Sequence, residues 1–182
     1  MRAVDADILI IPGLNNSGPE HWQSRWQEKL STARRVFQDD WQQPSRLAWE
    51  SSIKLAILDS SRPVVLIAHS LGVIAALHAA QSVSDKIAGA FLVAPPSETV
   101  MREIPTINCD FLPAPRQPLV FPTILVGSRD DPYADHQYTR DLALDLGAKF
   151  VDAGAAGHLN IESGHGPWPE GLLTFAHFIA KL

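Results

Sequence analysis

Cysteine is nearly absent: Cys109 stands alone among 182 residues, so no internal disulfide can form and no oxidising compartment is indicated. Cys109 itself reads as a small half-buried hydrophobe in a loop. Long apolar runs are missing too, since none approaches the ~18 residues that a membrane helix needs. The N-terminus passes from Asp5 and Asp7 straight into a short apolar stretch, without the basic, apolar and small-residue order of a signal peptide. A soluble, cytoplasmic protein is expected. Positive charge is in short supply: 15 Lys and Arg against 20 Asp and Glu leave a net charge of -5 and no footprint for nucleic acid or an anionic membrane. The one adjacent basic pair, Arg34-Arg35, reads as solvated surface. There is no P-loop, no G-x-G-x-x-G and no H-E-x-x-H, so phosphate, dinucleotide and zinc-protease chemistries lack their minimum parts. His158, Glu162 and His165 imitate a metal cluster but have no further ligand spacing, and no metal is expected.

What is present is an ordinary globular composition, 46% hydrophobic and 19% charged, in a length that fits one domain over residues 1–182. Short β-rich runs alternate with longer helical patterns, the signature of βαβ units around a parallel sheet. Strands are expected at Asp7 to Gly13, Ala33 to Gln38, Val64 to Ala68, Gly89 to Pro96, Thr123 to Gly127 and Ala148 to Ala153. Trp22, Trp26 and Leu30 share one helical face, and further helices are expected over Arg46 to Ser60, after Ser70, over Tyr133 to Leu146 and over Glu170 to Leu182. Seven prolines between Pro95 and Pro122 suppress regular structure there and predict a long loop with one short helix near Thr99 to Glu103. The fold class is therefore α/β, a three-layer sandwich of about six mostly parallel strands without a large cap, whose working edge is the carboxyl end of the strands.

At those strand ends the chemistry collects. "VVLIAHSLGVIAALHAA" is an apolar strand, a tight turn and an apolar helix, with Ser70 at the bend. It resembles the nucleophile elbow G-x-S-x-G, with Ala68 in place of the first glycine. Alanine adds only a methyl group and is tolerated where φ stays negative, as at the end of a strand. The bland alternative is that Ser70 merely caps the helix. A nucleophilic serine needs a base, a group to orient the base, and donors for an oxyanion. His158 follows the sixth strand, and Asp130 and Asp131 follow the fifth, so the order Ser, Asp, His is that of α/β-hydrolases. Asp131-Pro132 also reads as a helix N-cap with proline at the first position, in which case Asp130 would orient the histidine. The oxyanion donors would be the N–H groups of Leu71 and Leu14, with an Asn15 or Asn16 amide as a further donor. Asn15, His21 and His69 are the candidate pocket residues, and Trp22 is as suited to the core as to the crevice.

"IPGLNNSGPEHWQSRW", "QDDW", "LIAHSLG", "GSRDDPY" and "GHLNIESGHGPWPEG" together make the chain resemble the small serine hydrolases of the retinoblastoma-binding protein 9 and YdeN type, within the α/β-hydrolase superfamily. The resemblance spans nearly the whole chain. It implies Ser70 as nucleophile, His158 as base and Asp131 as acid, a six-stranded sheet without a large cap, and no metal or organic cofactor. The expected function is hydrolysis of small esters, with amides or thioesters as lesser substrates, and pocket walls from Leu14 to Trp22, Pro95 to Pro122 and Leu159 to Trp168. Two alternatives remain at this stage: an inactive hydrolase-like scaffold that binds a protein partner, and a flavodoxin-like ligand-binding domain.

Overall fold

A computed structural model describes all 182 residues. Six strands form one sheet: β1 (Asp7–Ile11), β2 (Ala33–Arg35), β3 (Val64–His69), β4 (Ile87–Val93), β5 (Thr123–Gly127) and β6 (Lys149–Asp152). Their order is β2-β1-β3-β4-β5-β6, and every neighbouring pair is parallel. The helices are α1 (Trp22–Lys29), α2 (Arg46–Leu58), α3 (Leu71–Ala80), α4 (Glu98–Glu103), α5 (His136–Asp145) and α6 (Pro169–Ile179). None is long and apolar enough to cross a membrane.

Strand residues alternate between two cores, as the period of two requires. Ile8, Ile10, Val65, Ile67, Phe91 and Val126 face a layer built on Trp22 and Trp26 of α1 and Phe175 and Phe178 of α6. Leu9, Ile11, Leu66, Ala68, Leu92 and Leu125 face the opposite layer, with Trp49, Ile53 and Ile57 of α2, the apolar length of α3, and Leu142 of α5. β3 is buried at every position, which explains why its sequence is apolar throughout rather than alternating. The chain leaves β1 towards β2 and returns to β3 on β1's other side, so the order reverses between β1 and β3. A crevice opens at such a reversal, above the carboxyl ends of the strands.

Several expected boundaries shift for identifiable reasons. β2 stops at Arg35 because it is a short edge strand with only β1 beside it. β3 continues through His69, which pairs with Val93. α5 begins at His136 with Asp135 as its flanking residue, so Asp131-Pro132 is not the mouth of that helix. The proline-rich segment holds α4 and a single 3₁₀ turn at Cys109–Phe111, where Phe111 is fully buried and Cys109 is exposed rather than half-buried.

Candidate active site

Ser70 sits between the end of β3 and the start of α3 with φ 54° and ψ -129°, a region costing a non-glycine residue on the order of 1–3 kcal/mol. The surroundings over-determine it. Its N–H donates to the Val93 carbonyl at 3.0 Å and its carbonyl accepts from the Val73 N–H at 2.9 Å. Its side chain makes no helix-capping bond. Instead Ser70 Oγ lies 2.9 Å from His158 Nε2. The capping alternative is thereby excluded.

Two glycines make the turn sterically feasible. A Cβ on Gly72 would lie 2.4 Å from the Pro12 carbonyl oxygen and 2.5 Å from that of Ile11, so α3 packs against the end of β1 only without a side chain there. A Cβ on Gly13 would lie 2.8 Å from Ser70 Cβ and 3.1 Å from the Leu71 nitrogen. The loop after β1 is thus pressed against the Ser70-Leu71 peptide. Leu71 opens α3, so its N–H has no carbonyl one turn back inside the helix. The Leu14 N–H takes no intramolecular hydrogen bond. Ala68 needs no such space: its φ is not positive, and its methyl group is buried in the α2/α3 core.

His158 occupies the loop after β6, and its Nδ1 lies 3.0 and 3.1 Å from the two carboxylate oxygens of Asp131. The ring therefore donates through Nδ1 to Asp131 and accepts through Nε2 from Ser70. The side chain of Asp131 is 3% exposed and that of His158 9% exposed, so the contact is shielded from water. Tyr133 lies against the imidazole, with ring centroids 4.4 Å apart. Asp131 Oδ1 also accepts the Tyr133 N–H at 2.9 Å, a local turn that serves the capping role within the loop.

Asp130 points elsewhere. Its Oδ1 accepts from the Gly157 N–H at 2.7 Å and from Ser128 Oγ at 2.8 Å, and these bonds hold its carboxyl below the usual carboxylate range. Ser128 Oγ also accepts the Ala156 N–H at 2.9 Å. Together Asp130 and Ser128 clamp the loop after β5 to the loop after β6, immediately before His158.

Residues 8–177 match the family model described as serine hydrolase. The chain belongs to the serine hydrolase family. Among solved structures, this hydrolase is similar to a YdeN-like hydrolase from Pectobacterium atrosepticum, with 35% identity and a TM-score of 0.85 over 97% of this chain and 91% of that one. The ydeN product of Bacillus subtilis shares the fold at 19% identity and TM-score 0.80, covering 95% and 98% of the two chains. Esterase 2 of Thermogutta terrifontis shares it at 14% identity and TM-score 0.70, covering 100% and 85%. A search of curated proteins finds no match.

Of the sequence-chosen residues, Leu14, Asn15, His21, His69, Ser70, Leu71 and His158 line one cavity of about 420 Å³, whereas Asp131 does not line it and contacts His158 Nδ1. The three loops expected as walls all contribute, through Pro96, Ile104 and Ile107 on one side and Asn160, Ile161 and Glu162 on another. Tyr133 joins them. His69 is 5% exposed, and one ring nitrogen, Nε2, donates to the His158 carbonyl at 2.9 Å. Burial, then the neighbouring His158 and His21 charges, push its pKa well below the ordinary histidine value. His21 Nδ1 accepts the Gln23 N–H, and burial, followed by Arg35 and His158, lowers its pKa to about 4. Both imidazoles are neutral near pH 7.

Sequence reasoning missed the supports. Trp22 belongs to the core, yet its indole N–H donates to the Leu159 carbonyl at 2.8 Å, beside His158. Gln23, fully buried, donates to the Ile11 and Ile67 carbonyls at 3.2 Å each and accepts from Ser17 Oγ at 2.7 Å. Asn16 spends its side-chain oxygen on the Ser17 N–H and on Arg35. Arg35 is half-buried and engaged rather than solvated. A polar residue on the apolar side of α1, Gln23, is the one signal that sequence alone offered.

Proposed function

We propose that this serine hydrolase is a carboxylesterase acting on small esters through an acyl-enzyme on Ser70. The observation that carries the reading is the continuous contact from Ser70 Oγ to His158 Nε2 at 2.9 Å and from His158 Nδ1 to Asp131 at 3.0 Å, at the mouth of a cavity. Distances of this kind suit proton transfer. As Ser70 Oγ attacks the ester carbonyl, His158 Nε2 takes its proton and Asp131 holds the resulting imidazolium. The carbonyl oxygen gains negative charge, which the N–H groups of Leu71 and Leu14 receive, both free of competing intramolecular acceptors. Collapse expels the alcohol, to which His158 returns the proton. Water then enters and gives a proton to His158 as it attacks the acyl carbon; the second intermediate collapses, His158 returns that proton to Ser70 Oγ, and the carboxylic acid leaves.

Leu14, Ile104, Ile107 and Ile161 give the cavity an apolar lining that suits a short acyl chain, and its volume of about 420 Å³ suits a small substrate. Fold neighbours include esterases from Thermogutta terrifontis and the Est1E protein of Butyrivibrio proteoclasticus, the latter solved with ferulic acid. All steps use side chains, backbone and water. The test is a chain-length panel of p-nitrophenyl esters with wild type and Ser70→Ala. Hydrolysis should favour short acyl chains and vanish in the folded variant; activity surviving in Ser70→Ala would overturn the proposal.

A further inference from the structure

Arg35 stands at the carboxyl end of β2, next to Ile10 of β1, whose chain goes on into the Gly13–Ser17 loop. Its guanidinium reaches across to that loop. One terminal nitrogen donates to Asn16 Oδ1 at 2.6 Å and to the Ser17 carbonyl at 2.8 Å. The other donates to Ser24 Oγ at 2.6 Å, and Nε donates to Gln27 Oε1 at 3.2 Å, both on α1. No carboxylate is among these partners, so a half-buried cation is held by neutral acceptors alone, at a desolvation cost that lowers its pKa. Such an arrangement is expensive for an edge strand whose stability needs no charge. The loop it holds is itself strained: Asn15 and Asn16 lie at φ 63° and 64°, in the left-handed region. Leu14, whose N–H is unpartnered, immediately precedes them.

We propose that Arg35 is a positioning residue for the reaction: its planar fork holds the Gly13–Ser17 loop so that the Leu14 N–H is aimed at the oxyanion formed on Ser70. The inference rests on the reading of Ser70 as nucleophile. A lysine keeps the charge but cannot satisfy acceptors lying in different directions within one rigid plane. Misplacement of a donor is felt in the transition state more than in the bound ester.

The test uses the purified full chain as Arg35→Lys, Ser24→Ala, Arg34→Lys and Ser70→Ala, with p-nitrophenyl acetate kinetics, the rate of labelling by a fluorophosphonate, and thermal unfolding of each. Arg35→Lys should lower kcat about 10- to 100-fold with KM within about threefold, at a temperature where it is fully folded. Its fluorophosphonate labelling should slow in parallel, because phosphonylation builds charge on an oxygen in the same place. Ser24→Ala, which removes one acceptor of Arg35 and the hydroxyl's own bond to the Ser17 carbonyl at 3.0 Å, should show a smaller loss of the same kind. Arg34→Lys, whose side chain reaches the Ala56 carbonyl and Ser60 on the other face, should keep wild-type rates. A folded Arg35→Lys with wild-type kcat and labelling rate overturns the inference. So does a loss that merely follows the unfolded fraction. Should Arg35→Lys fail to fold, an unchanged kcat in Ser24→Ala overturns it instead. Ester hydrolysis surviving in Ser70→Ala would count against the site itself, separately from Arg35.

Discussion

Two neighbouring carboxylates, Asp130 and Asp131, have divided their work. Asp131 faces His158 from a nearly dry position, whereas Asp130 binds a backbone N–H and a serine hydroxyl that join two loops. Asp131→Asn is expected to lower kcat on the order of 10⁴-fold, the scale at which loss of the orienting carboxylate leaves the wrong imidazole tautomer. Asp130→Asn should cost kcat less than about tenfold while lowering the melting temperature, since it weakens a loop clamp and leaves the ring's partner in place. Steady-state kinetics beside thermal unfolding separates the two. A larger kcat loss in Asp130→Asn would reverse the assignment. The adjacency of two identical residues is what kept this choice from being legible in the sequence: spacing places both at the strand end, and only the path of the loop decides which one turns inward.

At the scale of the element, the elbow depends on close backbone approach at Gly72 and, from the facing loop, at Gly13, and not at the position where alanine stands. Ala68→Gly should leave kcat within about twofold and destabilise by about 1 kcal/mol, lowering Tm by roughly 2–4 °C, because it removes a buried methyl group and frees a strand residue. Gly72→Ala should do far more harm, about 1–3 kcal/mol or above, because its Cβ would meet carbonyl oxygens that cannot swing away. Chemical denaturation of both variants checks the order. The elements themselves were largely legible: the four inner strands β1, β3, β4 and β5 are buried at nearly every position and leave continuous apolar runs, whereas the edge strands β2 and β6 hold no buried residue and carry a weaker signature. The ends of the elements were less legible. α5 starts three residues later than its pattern implied because the Asp131 carboxylate is turned towards His158 and Tyr133, and the chain needs the intervening residues to reach a helical course. Arg35 was illegible as a support, because its partners are a loop carbonyl and side chains whose placement no periodicity encodes, and Gln23 showed only as a polar residue beside the apolar face of α1.

Across the whole molecule, the sheet's order reversal puts the loops after β1 and β3 side by side, and the loops after β5 and β6 arch back to meet them. This convergence buries His21 and His69 next to His158, with ring centroids 5.0 Å apart for the first pair and 4.9 Å for His69 and His158. One consequence is acid lability. His21 is neutral in the folded state down to about 4, whereas in the unfolded chain it takes up a proton below its ordinary value of 6.5. The unfolded state therefore binds more protons between those values, and stability is full above the upper one and declines as pH falls through the window. Between pH 7 and pH 5 the decline attributable to His21 is about 2 kcal/mol. His21→Asn, whose side-chain oxygen can still accept the Gln23 N–H, should flatten urea-measured stability over that range by a similar amount. An unchanged slope would show that His21 is not the group responsible.

The central claim is that Ser70 is the activated nucleophile of this serine hydrolase. It is tested most directly by treating the folded protein with a fluorophosphonate and locating the adduct by peptide mass spectrometry. A single adduct on Ser70 is predicted, with Ser70→Ala unlabelled and inactive on p-nitrophenyl acetate. An unmodified Ser70, or a Ser70→Ala protein that still reacts and hydrolyses the ester, would contradict the account.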